Sequence, residues 1–301
     1  PGWRQAKLPF PKLSLAEVSP DAQRIATADG DMPAQLWQCG TGTALVCTAT
    51  PLPGTREATA LVFSRDSRWL LSASESEGVP AQVWDAKTTA LEKSYLKAGL
   101  VKAAAWSADD NSIALASGRA ARIWDRLSGR ELTSLPAGSM NHIAFSPDGR
   151  YLLTDSAFET SAETVGQVQL WRLKDQAMVA RLAEPLTNVQ AVAFNPQGDR
   201  VVIATGAGKL WLWGGNWQRP TKARPLDGHE NSVNCARFSP NGQFVVSASS
   251  DKTVRIWAAD TGTCLAILRG HTDFVWSAGF SPDGRTILSA ARNGRVISWS
   301  T

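Results

Sequence analysis

Histidine, serine and an acid or amide stand together twice in the last third of this 301-residue chain, as His229, Ser247 and Asp251, and as His271, Ser289 and Asn293. A serine hydroxyl beside an imidazole that a carboxylate orients is the constellation of nucleophilic acyl transfer. Each set is followed by a tryptophan, Trp257 and Trp299, and no G-x-S-x-G elbow occurs to present a nucleophile. The remaining histidine, His142, lies in an apolar stretch beside Asn141, and no His/Cys cluster has metal-ligand spacing. Gly206-Ala207-Gly208-Lys209 looks like a fragment of a phosphate loop, but it lacks the four-residue spacer and the Ser/Thr after lysine. It reads as a turn between two strands. Carboxylates such as Asp148 and Asp283 also fall in turns. These residues predict no enzyme, no cofactor and no metal.

The elements that position them repeat. Ser/Asn-x-(Asp/Asn/Gln) turns begin at Ser19, Ser64, Ser107, Ser146, Asn195, Ser239 and Ser281. Each is followed, one hairpin later, by a tryptophan closing an apolar strand: Trp37, Trp84, Trp124, Trp171, Trp213, Trp257 and Trp299. Seven cycles of roughly 44 residues are the mark of a propeller, in which each repeat is one small sheet. The sixth repeat reads as strands Val233 to Phe238, Phe244 to Ser249, Thr253 to Trp257 and Cys264 to Leu268, with Pro, Asn and Gly in the turns. Pairs such as Val245-Val246 make the strands apolar on both faces, as a sheet packed between two neighbours requires.

Gly228-His229 and Gly270-His271, with Trp84-Asp85 and Trp124-Asp125, resemble the signatures of the WD-repeat β-propeller family, and the resemblance spans essentially the whole chain. The other five tryptophans are followed by Gln38, Arg172, Gly214, Ala258 and Ser300. The resemblance implies that His229, Ser247, Asp251 and Trp257 form a structural hydrogen-bond network across a blade, as do His271, Ser289 and Trp299 with Asn293 replacing the aspartate. In the fifth repeat Pro185, Ile203 and Ala207 stand at those positions beside Trp213, so the polar partners vanish together. The expected fold is all-β: one domain forming a seven-bladed propeller of four-stranded antiparallel blades. The blades cover about 11–49, 57–97, 100–136, 139–184, 188–227, 232–269 and 273–301, the last completed by 3–9. The last repeat ends at its third strand, so Trp3 to Leu8 is expected to pair with it and close the ring, which would otherwise expose a sheet edge.

The net charge of +4 favours solubility more than a polyanion partner. Cys39, Cys47, Cys235 and Cys264 lack paired spacing and read as small buried hydrophobes, which with the family's habits points to the cytoplasm. No apolar run is long enough to span a membrane. The missing initiator methionine suggests a processed or excised piece. Insertions at Pro51 to Glu57, Glu75 to Pro80 and Phe158 to Gly166 fall mainly on one rim, the top, where binding loops sit on a rigid scaffold.

Counting back from each repeat's inner-strand anchor gives a ring around the channel mouth that includes Lys12, Glu57, Lys102, Asn141, Gln190, Asn234, Phe274 and Trp276, with Arg292 adjacent. Trp276, Phe274 and Arg292 head the candidates because Trp and Arg dominate binding hot spots; the alternative is that the two aromatics cover a blade junction. The leading function is a non-catalytic interaction scaffold or sensor, monomeric as an isolated domain and part of a larger regulatory, signalling protein, binding a protein or peptide. A nucleic-acid-binding propeller is the alternative, with Trp217, Arg219, Lys222 and Arg224 as its basic and aromatic stretch, against which stands edge protection by charge and proline. A central-channel enzyme is the remote third.

Overall fold

A serine-centred turn starts the descent of six repeats, and Asn195 takes the serine's place in the fifth. In the sixth, the Ser239 hydroxyl donates to Asn241 Oδ1 at 2.7 Å and accepts the Phe244 N–H at 2.9 Å. Ser64, Ser107, Ser146 and Ser281 repeat the arrangement with aspartate two residues on, at 2.6 Å in each. The side chains thus satisfy turn groups that the strands cannot reach. The same bonds hold the Asp109 and Asp283 carboxyls below the usual range, with the serine hydroxyl the leading cause in each.

The computed structural model describes residues 3–7, 13–30, 32–39, 47–95, 98–159, 164–182, 186, 188–217 and 219–301. They form seven antiparallel sheets, each a meander that runs outward from an inner strand. The inner strands are Leu15–Val18, Ala58–Phe63, Val101–Trp106, Ile143–Phe145, Val189–Phe194, Val233–Phe238 and Val275–Phe280. Second strands such as Trp69–Ser74 are buried along their whole length. The core lies between blades: Val202 and Leu212 of the fifth pack with Val233, Val245 and Trp257 of the sixth. Among the described residues no helix is long and apolar enough to cross a membrane.

In five blades the inner strand opens with a β-bulge, which skips Thr59, Lys102, Gln190, Asn234 or Trp276 in the ladder. A bulge re-aims its extra residue. Here Thr59 Oγ1 donates to Val101 O at 2.6 Å, Asn234 Nδ2 to Val275 O at 2.9 Å and Trp276 Nε1 to Leu13 O at 2.9 Å. Val101 and Val275 start the next blade's inner strand and Leu13 lies just before it, so these bulges staple neighbouring blades.

The chain's first described strand, Trp3–Lys7, pairs antiparallel with Arg295–Ser300, with Trp3 opposite Trp299. A second tie crosses the same seam. Arg237 of the sixth blade pairs with Glu17 of the first, and its Nη1 donates to Val18 O at 3.0 Å. It passes over the seventh blade at Gly279, where an added Cβ would stand 3.6 Å from the guanidinium.

Three expectations need correction. Cys39 and Cys47 form a disulfide, their Cα atoms 4.1 Å apart, so only Cys235 and Cys264 are free thiols. Strand register places the two directly opposite across the third and outer strands of the first blade, which a spacing of eight does not reveal. The argument from unpaired cysteines to a reducing compartment falls with it. The stretch from Phe158 to Gly166 is not simply a loop, because the strands Tyr151–Glu159 and Thr164–Arg172 extend into it as one long hairpin. The fifth sheet has two short outer pieces, Arg219–Pro220 and Arg224–Leu226, both pairing with Leu210–Asn216, because each carries a proline that cannot donate to a ladder.

Candidate functional site

Asp251, in the turn before the third strand of the sixth blade, accepts from Thr253 Oγ1 at 2.6 Å and faces His229 Nδ1 at 2.7 Å. An ionised carboxylate only accepts, so Nδ1 carries the proton and Nε2 accepts from Ser247 Oγ at 2.7 Å. Ser247 in turn accepts from Trp257 Nε1 at 2.8 Å. Burial opposes ionisation of Asp251, but the His229 and Thr253 hydrogen bonds outweigh it and hold the carboxyl well below its usual range. Burial also lowers His229, against the pull of Asp251, so the imidazole is neutral at pH 7. Ser247 is fully buried and committed on both sides. No substrate can reach it there, and the set acts as a cross-blade tie.

The tryptophan–hydroxyl bond recurs at 2.8–3.0 Å in Trp37–Thr27, Trp84–Ser72, Trp171–Thr154 and Trp299–Ser289. In the third blade Leu115 takes the hydroxyl's place, and Trp124 Nε1 is buried without a partner among the described residues. In the seventh, His271 Nε2 meets Ser289 Oγ at 2.8 Å, yet Asn293 does not replace the aspartate. Its Nδ2 donates to Thr272 Oγ1 at 3.0 Å, and His271 Nδ1 is left buried without a partner among the described residues. Pro185 lies outside the described residues.

At the channel mouth the predicted ring divides. Asn234 and Trp276 are spent on the inter-blade staples, and the Trp276 ring packs half-buried on the core shared by the seventh and first blades. Phe274 is half-buried beneath Arg292, whose guanidinium stands 4.3 Å from the ring centroid while its Nε donates to Asp273 Oδ2 at 3.1 Å. Glu57 is exposed and bonded to Ser76 Oγ; Lys102 pairs with Glu75 at 3.4 Å; Gln190 Nε2 donates to Asn188 Oδ1 at 2.8 Å. Asn141 is exposed. Lys12 lies outside the described residues. The inner strands enclose a channel of about 400 Å³.

One pair, of which His142 lines this channel, was missed from the sequence. His142 faces Asp155, the next strand's carboxylate, with Nδ1 to Oδ2 at 3.1 Å. The signal was available by stacking the repeats, since Asp155 takes the place of alanine.

Trp217, proposed with Arg219, Lys222 and Arg224 as a stacking platform, is buried against Trp213 at 5.3 Å and donates to Gly198 O at 2.8 Å. Arg224 Nη2 is bonded to Asp260 O at 2.6 Å. The basic stretch therefore has no exposed aromatic from Trp217 to offer a base.

Seven sheets around a channel, with a His–Ser–Asp–Trp tie across the sixth blade, are the fold of a WD-repeat β-propeller, and the WD-repeat family is the one that the last two blades match. The WD domain, G-beta repeat, family matches residues 220–258 and 262–300, and the eukaryotic translation initiation factor eIF2A family matches residues 81–212. Among curated proteins, the serine-threonine kinase receptor-associated protein of Gallus gallus is 26% identical over 254 residues, covering 82% of this chain and 67% of its own length. Its Homo sapiens counterpart is 24% identical over 250 residues with the same coverage, 82% and 67%. Periodic tryptophan protein 2 of Saccharomyces cerevisiae is 30% identical over 104 residues, 34% of this chain and 11% of the relative.

Proposed function

We propose that this propeller is a non-catalytic interaction scaffold or sensor that seats a protein or peptide partner on its top face. The observation that carries the reading is the Phe274–Arg292 stack at the channel mouth. Asp273 holds the guanidinium in place, so an aromatic and an arginine stand pre-ordered and half-exposed. Such pairs concentrate binding energy because little freedom remains to be lost on docking. Glu57, Lys102, Asn141 and Gln190 supply a polar rim around it, and Lys12 belongs to the same ring by its place in the repeat. The name of these relatives, serine-threonine kinase receptor-associated protein, supports a role in signalling. Trp276 contributes by fixing the rim, through its bond to Leu13, more than by direct contact.

The test compares capture of a partner by wild type, a Phe274→Ala/Arg292→Ala double variant and Lys222→Ala, which changes the outer edge of the fifth blade. The double variant is expected to lose affinity by about tenfold or more, with an unchanged melting temperature. Loss in Lys222→Ala instead, or full capture by the double variant, overturns the reading.

A further inference from the structure

Six repeats agree on what stands where the inner strand faces the second strand near the channel. The opposed pairs are Leu15 and Ala28, Ala60 and Ala73, Ala103 and Ala116, Ala191 and Ala204, Cys235 and Ala248, and Ser277 and Ala290. All are small or apolar. Continuing the register of the fourth blade from Ile143 opposite Thr154 places His142 opposite Asp155. A histidine and an aspartate have entered together, at two contacting positions, in one blade of seven.

The fourth blade is rebuilt around them. Asp155 Oδ1 accepts the N–H of Asn141 at 2.8 Å and of His142 at 2.7 Å, and the inner strand begins only at Ile143. The Asp155 side chain is 5% exposed, while that of His142 is 25% exposed and lines the channel. Asp155 Oδ1 is taken up by the two backbone N–H groups and Oδ2 faces Nδ1, so the tautomer that this geometry selects in the neutral imidazole has its N–H at Nδ1. In that tautomer Nε2 is a lone-pair acceptor, held in orientation by the Asp155 contact and with no partner among the described residues. A second-strand carboxylate that orients an imidazole in this way also strengthens the other nitrogen as an acceptor.

Among the described residues the other charges lining the channel are paired: Glu17 with Arg237 and Lys102 with Glu75. The negative charge of Asp155 is left to be answered through His142. We infer that the fourth blade carries a channel-mouth site for a cationic hydrogen-bond donor, the ammonium or guanidinium group of a lysine or arginine on a partner segment. His142 Nε2 accepts the hydrogen bond and Asp155 is a positioning residue. For its partner this rests on the top-face reading, but the site itself is tested with small probes, so failure of one is distinguishable from failure of the other.

The probe is Nα-acetyl-lysine N-methylamide, titrated into the full chain while the His142 ring and the Asn141 and Gln190 side-chain amides are followed by NMR. Saturable shifts are expected, absent with equal tetramethylammonium, which has charge but no N–H, and absent with Nα-acetyl-glutamate N-methylamide. Asp155→Asn keeps the acceptor for the two backbone N–H groups but donates to Nδ1, which moves the ring proton to Nε2. It should lose the response to the lysine probe and gain one to the glutamate probe. His142→Ala/Asp155→Ala restores the alanine pair of the second, third and fifth blades, so it should fold and respond to neither. A lysine response no greater than that to tetramethylammonium overturns the inference. So does a lysine response that survives in Asp155→Asn or in the double variant.

Discussion

His271 is the residue at which the repeat's own hydrogen-bond logic is left incomplete. In the sixth blade Asp251 accepts the imidazole N–H; in the seventh Asn293 turns to Thr272, and burial, then Arg295, drives His271 down to about 3. His229 is lowered too, so both rings are neutral in the folded protein, while in the unfolded chain they protonate near the ordinary value of about 6.5. Between about 6.5 and 3 the unfolded state binds more protons, and stability therefore falls as pH falls. Each fully titrating histidine contributes about 1.4 kcal/mol per pH unit. Asp251 is shifted in the same direction but in a more acidic window: its contribution is present above the ordinary carboxylate range and is lost as pH falls through and below that range. Urea unfolding between pH 7 and 5 thus reads the histidines. Asn293→Asp supplies the missing acceptor and should add about 1 kcal/mol at pH 7, with a shallower loss toward pH 5. An unchanged slope would show that a carboxylate at 293 does not reach the ring.

Elements here do two jobs, and the inner strands show it best. Their bulges point Thr59, Asn234 and Trp276 at the next blade, so residues that a count from the strand anchor assigns to a binding ring are partly structural. Counting finds the ring because the bulge recurs, but it cannot find which side chains are consumed, since the acceptors belong to another blade. The long hairpin of the fourth blade was hidden for a related reason: its polar, small residues resemble a loop, and only pairing reveals strands. The outer strand Trp3–Lys7 has a plainer role. Removing residues 1–10 bares the ladder groups of Arg295–Ser300, and an open edge is a template for another chain. Scanning calorimetry should show a melting temperature lower by many degrees, and light scattering should show association that grows with concentration. A negligible thermal shift would mean that the strand contributes no more than an ordinary frayed terminus.

For the whole molecule, the number of blades was legible because each repeats its own turn and tryptophan, so the information is local and sevenfold redundant. What was not legible is what joins parts distant in the chain. The Cys39–Cys47 bridge depends on register, and the Arg237–Glu17 pair joins residues 220 positions apart over a glycine whose need appears only when the blades are assembled. That pair and the Trp3–Lys7 strand hold the same seam, on the channel side and the outer side. Arg237→Ala leaves Glu17 unpaired in a partly buried setting, 20% exposed, and should cost on the order of 2 kcal/mol. In a ring, each tie supports the join of the first and last blades when the other is lost, beside the Trp276–Leu13 bond and the core those blades share. Losing both should loosen it. The destabilisation measured for Arg237→Ala combined with removal of residues 1–10 should therefore exceed the sum of the single losses, with a coupling of about 0.5–3 kcal/mol, and hydrogen exchange should rise first in the Leu15–Val18 and Val275–Phe280 strands. Strict additivity, with protection there unchanged, would mean that the two ties stabilise their own blades and not the closure of the ring.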